Sequence, residues 1–419
     1  MQPTRSIICL ALLAALPAVG LAQVDIPTGS QADLLRAVTE APALNAAARR
    51  TAAARERIDS SGRLADPELE GMGSRMVGPM NERATMWEVN VRQPLPKRGE
   101  RAADRDRARA AVLMSEADYA LMAGEMAADT AMALAEAQGA EARILLLEAQ
   151  IARLDPVLRS IESRLATTGG RIADRLTVQS RIAAMQLMIE EERRMAADAL
   201  AEARGRLGLR PDAPLPAFAA PDVSEINPDN AAIVLLAAAR TTEANAMIKM
   251  AHASANPMTS VGVRFEQERR AMGNDNTVGI ALMTDLPFRS RRYARADVRA
   301  AEAERSAAET DATAARYRIT AALTRVDRAE RLAATARRLS SETLARLNAE
   351  LDTMLSSASV GTAVMGESTV LQTVELLEMA TDTDLQVIRS DTAVRTARAE
   401  LWRYLPTNRF PNPNRTELP

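Results

Sequence analysis

Few side chains in this sequence could do chemistry. His252 is the single histidine and Cys9 the single cysteine. One imidazole with no second histidine and no thiolate beside it cannot build a usual metal site. It also serves no recognisable Ser/His/Asp set, and neither a phosphate-binding glycine loop nor a zincin motif occurs. Carboxylates are plentiful, but they fall on helical surfaces without a pair that spacing would bring together. His252 lies just before Asn256-Pro257, near the end of a predicted helix, and is read as structural. The pattern excludes an enzyme and calls for no cofactor and no resident metal.

Two softer signals have ordinary readings. Met122, Met126 and Met132 cluster on one predicted helix, and Met185, Met188 and Met195 on another. Thioethers suit soft cations, yet Met at helical spacing is ordinary gap-filling core, which is the preferred reading. Arg98, Arg101, Arg105 and Arg109 recur every three or four residues with Asp104 and Asp106 between them. That reads as a solvated helical stripe, with a lumen-facing role as the weaker alternative. The 53 basic and 55 acidic residues leave a net charge of −2, which gives no hint of nucleic acid.

The elements that position these residues follow from two periods. Trp87, Val89 and Val91 alternate with Glu88, Asn90 and Arg92, the two-residue period of a strand with one apolar and one polar face. Pro94 and Pro96 stop the ladder, since neither has an N–H to give, and beyond Gly99 the chain becomes alanine-rich, charged and helical. The same device returns 191 residues later, where Leu286-Pro287 echoes Leu95-Pro96 and Arg289, Arg291 and Arg292 echo Lys97, Arg98 and Arg101. Val278, Ile280 and Leu282 form the strand before it. Val261, Val263 and Phe265 alternate with Gly262, Arg264 and Glu266 in another. Asp66-Pro67 is echoed by Asn256-Pro257 at an offset of 190 residues, so the chain reads as an internal duplication.

In chain order, residues 1–22 read as a signal peptide, with Arg5 as its positive start, Ile7 to Leu16 as its apolar core and Gly20-Leu21-Ala22 before the cut. Cleavage there removes Cys9, so the mature chain has no disulfide. The first repeat spans 23–208: helix with a break at Pro42, a strand pair over 68–93, a long helix and a return helix. Ile144, Leu147, Ile151, Leu154, Leu158, Ile161 and Leu165 are spaced 3, 4, 3, 4, 3, 4, a heptad seam that demands a partner helix. Gly169-Gly170 breaks the rod, and Ile172, Leu176, Ile182 and Ile189 are the expected inner residues of the return helix. A Pro-rich linker follows at 209–230. The second repeat, 231–404, has its strand pair at 258–285 with a turn over Met272–Asn276, then a long helix whose clearest seam is Leu344, Leu347, Leu351 and Met354. Residues 405–419 read as a flexible tail.

Four two-faced strands cannot close alone, and an open sheet edge in lipid costs several kcal/mol per unpaired group. Eight strands make about the smallest barrel, so several chains must combine: two for eight strands or three for twelve. Glu88, Asn90, Arg92, Arg264 and Glu266 would then face the lumen. Trp87, Val89, Val91, Val261, Val263, Phe265, Val278, Ile280 and Leu282 would face lipid. The bland alternative is a soluble sheet with its apolar face on a helical core.

Gln93-Pro94-Leu95-Pro96-Lys97-Arg98-Gly99-Glu100-Arg101, Asp66-Pro67-Glu68-Leu69, Leu286-Pro287 and Val360-Gly361-Thr362 together resemble the TolC-like outer-membrane efflux family, the exit ducts of tripartite export systems. The Pro-Leu-Pro-Lys-Arg-Gly run resembles its heavy-metal branch most. The resemblance implies a mainly α fold with a small membrane β part: long antiparallel coiled-coil helices forming a periplasmic tunnel, and four strands per chain in a trimeric twelve-stranded barrel. It implies a homotrimer in outer-membrane lipid, a periplasmic adaptor protein and an inner-membrane pump. The breaks at Gly169, Gly170, Val360, Gly361 and Thr362 would sit at the periplasmic tip and take part in its gate. Acidic rings narrow the tip in the family. Here the nearest acid is Glu367, Thr369 and Gln372 are not acidic, and no lipidated cysteine is present. The expected function is passive conduction of metal ions or small toxic compounds from pump and adaptor to the exterior, opened by untwisting of helix pairs. The rivals are a type I protein-secretion duct of the same fold and a periplasmic structural coiled coil without a channel.

Overall fold

The computed structural model describes residues 29–77, 83–166, 171–270, 273–359 and 367–410. The expected signal peptide over 1–22, residues 78–82, the expected breaks at Gly169, Gly170, Val360, Gly361 and Thr362, and the residues after 410 lie outside that set. Two short helices open the chain: α1 (Gln31–Thr39) and α2 (Pro42–Ser60). The Ser30 hydroxyl caps α1 by accepting from the Ala32 N–H, and Pro42 starts α2 at the position where a missing N–H does no harm. A hairpin, β1 (Glu68–Val77) and β2 (Arg83–Leu95), leads into α3 (Glu100–Ala166) and its antiparallel return α4 (Ile172–Leu207). The plan then repeats: α5 (Ala232–Ser254), β3 (Thr259–Arg270), β4 (Gly273–Thr284), α6 (Ser290–Ser359) and α7 (Glu367–Glu400). At 67 and 70 residues, α3 and α6 are each on the order of 100 Å long.

The four strands form one antiparallel sheet in the order β1-β2-β3-β4. Pairing begins at Gly273, so the turn expected over Met272–Asn276 is in fact mostly strand, with Asn274 and Asn276 opposite Arg269 and Gln267.

The helical shaft has two apolar cores. Where all seven helices' neighbourhoods overlap, Leu34, Val38, Leu44, Tyr119, Leu207, Phe218, Ile319, Trp402, Leu405 and Phe410 cluster around the alanines of α3. Alanine lets the rods approach closely: a Cβ on Gly124 would meet the Trp402 carbonyl oxygen at 2.7 Å. Farther along, Leu147, Leu154 and Ile161 pack with Val178, Met185, Ile189, Val374 and Leu377. The heptad seam is therefore real, and it serves α4 and α7 together. Ile144, Ile151, Leu158 and Leu165 are only partly buried against that core.

Four expectations need correction. Residues 209–230 are packed rather than free: Phe218, Ala219 and Ile226 are buried, and the Trp402 indole N–H donates to the Ala219 carbonyl at 3.0 Å. The tail does not begin at Leu405, because Leu405 and Phe410 are buried and Pro406 bridges to Ala231. Ile172 and Leu176 are exposed, so the inner face of α4 is Val178, Met185 and Ile189. The deepest stripe of α6 is Ala294, Ala301, Ala308, Ala315 and Ala322, one alanine every seven residues, rather than the leucines farther on. Of those leucines Leu347 is buried and Leu344 half-buried.

A polar layer interrupts the α3–α7 contact. Gln150 and Asp384 are almost fully buried, and Oε1 of the first and Oδ1 of the second accept no hydrogen bond among the described residues. Burial pushes the Asp384 carboxyl up to about 6, against the pull of Arg153. A raised carboxyl pKa favours the folded state in its protonated form. That contribution is full below the ordinary aspartate value of about 3.9 and is lost as pH rises through about 6. Asp384→Asn should raise the melting temperature at pH 7.5 and flatten its fall between pH 4.5 and 7. Parallel pH profiles for wild type and variant would remove Asp384 from the account. Leu154→Ala, by contrast, should cost about 2–5 kcal/mol at any pH, while the exposed Leu145→Ala should stay within about 0.5 kcal/mol in the same melts.

Candidate functional site

Strand register brings the sequence-predicted polar residues onto one face. Glu88 stands opposite Glu266, Asn90 opposite Arg264, and Arg92 opposite Gly262. The Arg264 guanidinium bridges the two acids, with Nη2 at 2.9 Å from Glu88 and 3.1 Å from Glu266. Like charges directly opposite each other on neighbouring strands repel, and Arg264 offsets that repulsion. Arg92 pairs with Glu68 across β1, a partner the sequence reading did not place. The signal was available in hindsight, because Glu68 and Arg92 are the first residue pair of a two-stranded ladder.

The opposite face is apolar and bare. Val89, Phe265 and Val278 share one rung, and Val91, Val263 and Ile280 share the next. Val278 is 71% exposed and Ile280 86%. On the polar face exposure is mixed: 15% for the Glu88 side chain, 33% for Arg92, 45% for Arg264 and 52% for Glu68. A bare apolar face departs from the usual pattern of a soluble sheet, where apolar residues are covered. No helix among the described residues covers the apolar face, so the sheet does not lie with that face on a helical core of its own chain. Among the described residues no helix is long and apolar enough to cross a membrane. Both outer strands, β1 and β4, leave an edge without a partner among the described residues.

The sheet joins the shaft through two unequal joints. At the first, Gly99 takes a positive φ of 86°, and the Lys97 N–H donates to the Glu100 carboxylate at 2.7 Å as α3 begins. Lys97 Nζ reaches the Ser254 carbonyl at the end of α5, and Asn256 donates to the Arg98 carbonyl. Gly62, also at positive φ, donates to Asp104 and accepts from Arg101, both at 2.6 Å. Arg101 and Asp104 are thus a clamp on the end of α2, not members of a merely solvated stripe. At the second joint Leu286, Phe288 and the arginines 289, 291 and 292 are exposed.

The other candidates fall apart from this site. His252 is exposed in the last turn of α5. Met185 is core, Met188, Met122, Met126 and Met132 pack at core margins, and Met195 is exposed. Among the described residues no group of His, Cys, Asp or Glu could hold a metal ion. Glu367 is the first residue of α7. Gly169, Gly170, Val360, Gly361 and Thr362 lie outside the described residues.

Residues 34–208 match the family described as outer membrane efflux protein. No curated protein matches the chain by sequence. Solved structures share its fold over most of their length. A membrane protein from Pseudomonas aeruginosa is 19% identical with a TM-score of 0.71, over 90% of this chain and 91% of that one. The outer membrane protein VceC from Vibrio cholerae is 14% identical with a TM-score of 0.69, over 90% and 96%. CusC is 16% identical with a TM-score of 0.65, over 90% and 91%. At such identities the likeness is one of fold. CusC stands among several neighbours at a similar level, so no branch is singled out.

Arg264→Ala leaves Glu88 and Glu266 facing each other unbridged. The expected cost is about 1 kcal/mol, larger at low salt, and a second change Glu88→Gln should recover most of it. Thermal melts of the detergent-solubilised protein would read this. Equal melting temperatures for the single and double variants would show that the repulsion is not what Arg264 relieves.

Proposed function

We propose that this chain, an outer-membrane efflux channel of the TolC-like family, works as a passive exit duct built from three copies of itself. The observation that carries the reading is the two-faced sheet: four strands with a bare apolar face, a charged opposite face and, among the described residues, two unpartnered edges. Three copies would pair every edge and give twelve strands, enough to leave a water-filled lumen. Glu88, Asn90, Arg92, Arg264 and Glu266 would line it, and the apolar rungs would meet lipid. The helices would form the periplasmic shaft. Exposed Tyr293, Tyr317, Leu332 and Leu339 on α6 support burial of that helix against a neighbouring copy.

The chain has no means of supplying energy, so cargo would move by diffusion, with a pump and a periplasmic adaptor as partners. The gate would lie at the tip, where α3 passes to α4 near Gly169-Gly170 and α6 to α7 near Val360-Gly361-Thr362. A ring of three Glu367 carboxylates would attract cations and hold the tip narrow. Its placement at the start of α7 supports this, although a carboxylate is also favourable there simply for the helix dipole. The heavy-metal branch is supported by the Pro94–Gly99 run alone, so metal ions are the first cargo to try. The repeats are taken as 23–208 and 231–404.

Planar-bilayer recording of the detergent-purified mature protein tests the reading. Discrete pores of low conductance, rising several-fold in Glu367→Ala, are expected. Pores unchanged by that substitution would move the gate away from Glu367. A well-folded helical protein that never inserts, and stays soluble without detergent, would replace the duct with a structural coiled coil.

A further inference from the structure

The charges of the sheet are sorted by face more strictly than a lumen requires. By register, Glu68, Glu70, Glu88, Glu266, Glu268 and Asp275 all share the polar face. The apolar face carries no acid in any described strand. It does carry arginine, and only beyond its apolar rungs. From the shaft outward, β2 contributes Val91, Val89, Trp87 and then Thr85. Thr85 stands on one rung with Arg75 of β1, Arg269 of β3 and Asn274 of β4. Arg75 and Arg269 are both exposed, and neither makes an ion pair or side-chain hydrogen bond among the described residues.

Geometry gives the rung a place. Leu95 to Trp87 spans about 27 Å along the strand, which at a barrel tilt of about 40° is about 20 Å of height, most of a lipid-facing band of about 25 Å. The arginine rung lies one step, about 7 Å, past Trp87, on the side away from the helices. With the shaft in the periplasm, that side faces the cell exterior. Arg75 and Arg269 are two strands apart, about 10 Å. Two cations at that spacing, flanked by the Thr85 hydroxyl and the Asn274 amide, match an anionic headgroup bearing phosphates, seated where acyl chains give way to water.

We infer that Arg75 and Arg269 form a phosphate-binding collar on the outer face of the barrel, which holds the phosphorylated glycolipid of the outer leaflet. The inference rests on the duct reading above. Arg75 and Arg269 belong to neither the lumen nor the shaft, so their loss leaves conduction intact.

The test uses the full mature protein in nanodiscs and in planar bilayers. The probes are lipid A bearing its phosphates and lipid A stripped of them. Phosphorylated lipid A should raise the melting temperature of wild type, and the stripped form should not. R75Q/R269Q should weaken the apparent affinity about thirtyfold, about fivefold for each arginine lost. R75K/R269K should retain most of the shift. An equal shift in R75Q/R269Q and wild type, or from both lipids, would overturn the collar. If both proteins conduct, that result leaves the duct standing. If wild type forms no pore at all, the duct reading falls and the collar falls with it.

Discussion

Everything in this molecule answers to one constraint: backbone N–H and C=O groups must be paired wherever water is absent. A four-stranded sheet pairs its inner strands and leaves two long edges open. Its apolar side chains are turned outward and uncovered among the described residues. A closed ring of strands, as proposed above, would satisfy both edges and cover that face with lipid. The helical shaft meets that constraint on its own, since each helix pairs its own backbone; what α6 leaves uncovered is side chain, beyond the narrow stripe it buries.

The two repeats share a plan and differ in their surroundings. Helix α3 is enclosed by α2, α4, α5 and α7, and its start is tied down through Lys97, Arg101 and Asp104. Helix α6 rests on α5 and α7, and is held to α7 by exposed pairs such as Arg398 with Glu330 and Arg337 with Asp391. Exposed pairs are individually weak. The enclosed pair Arg143–Glu192 between α3 and α4 is a bidentate contact at 2.7 Å with little exposure. Strength is thus uneven around the shaft, firm between α3 and α4 and looser between α6 and α7.

Most of the fold was legible because it is written in periods. The two-residue alternation around Trp87 and Phe265 located the strands, and the spacing from Ile144 to Leu165 located the rod that needs partners. Pro96 and Pro287 follow the strand ends, but Pro94 does not stop the ladder: β2 runs on to Leu95, with Pro94 opposite Ser260. What escaped is what periods do not carry. The alanine stripe of α6 was overlooked because alanine is equally at home on a solvated helix and in a tight interface. Residues 209–230 looked like a linker because proline suggests one. Their backbone is instead anchored by partners distant in sequence, such as the Gly29 N–H donating to the Phe218 carbonyl. Asp384 looked like one surface acid among many, yet it lies seven residues after Leu377, on the buried register. The register places the five lumen candidates on one face, but their ion-pair partners depended on the pairing between β2 and β3, which no local pattern specifies.

The alanine stripe of α6 leaves a question of alignment. A row of identical small side chains at intervals of seven offers nearly the same fit after a slip of one heptad, about 10.5 Å along the axis. Only at one end of the row do Ile319 and Val326, both buried, give that surface a vernier of its own. The α5–α6 pair is joined through β3 and β4, whose ladder runs without interruption from Thr259 opposite Thr284 to Arg270 opposite Gly273. A sliding error between the rods would have to break that ladder. The β3–β4 ladder is therefore the ruler against which α5 and α6 are measured, since its register fixes where each rod ends and begins.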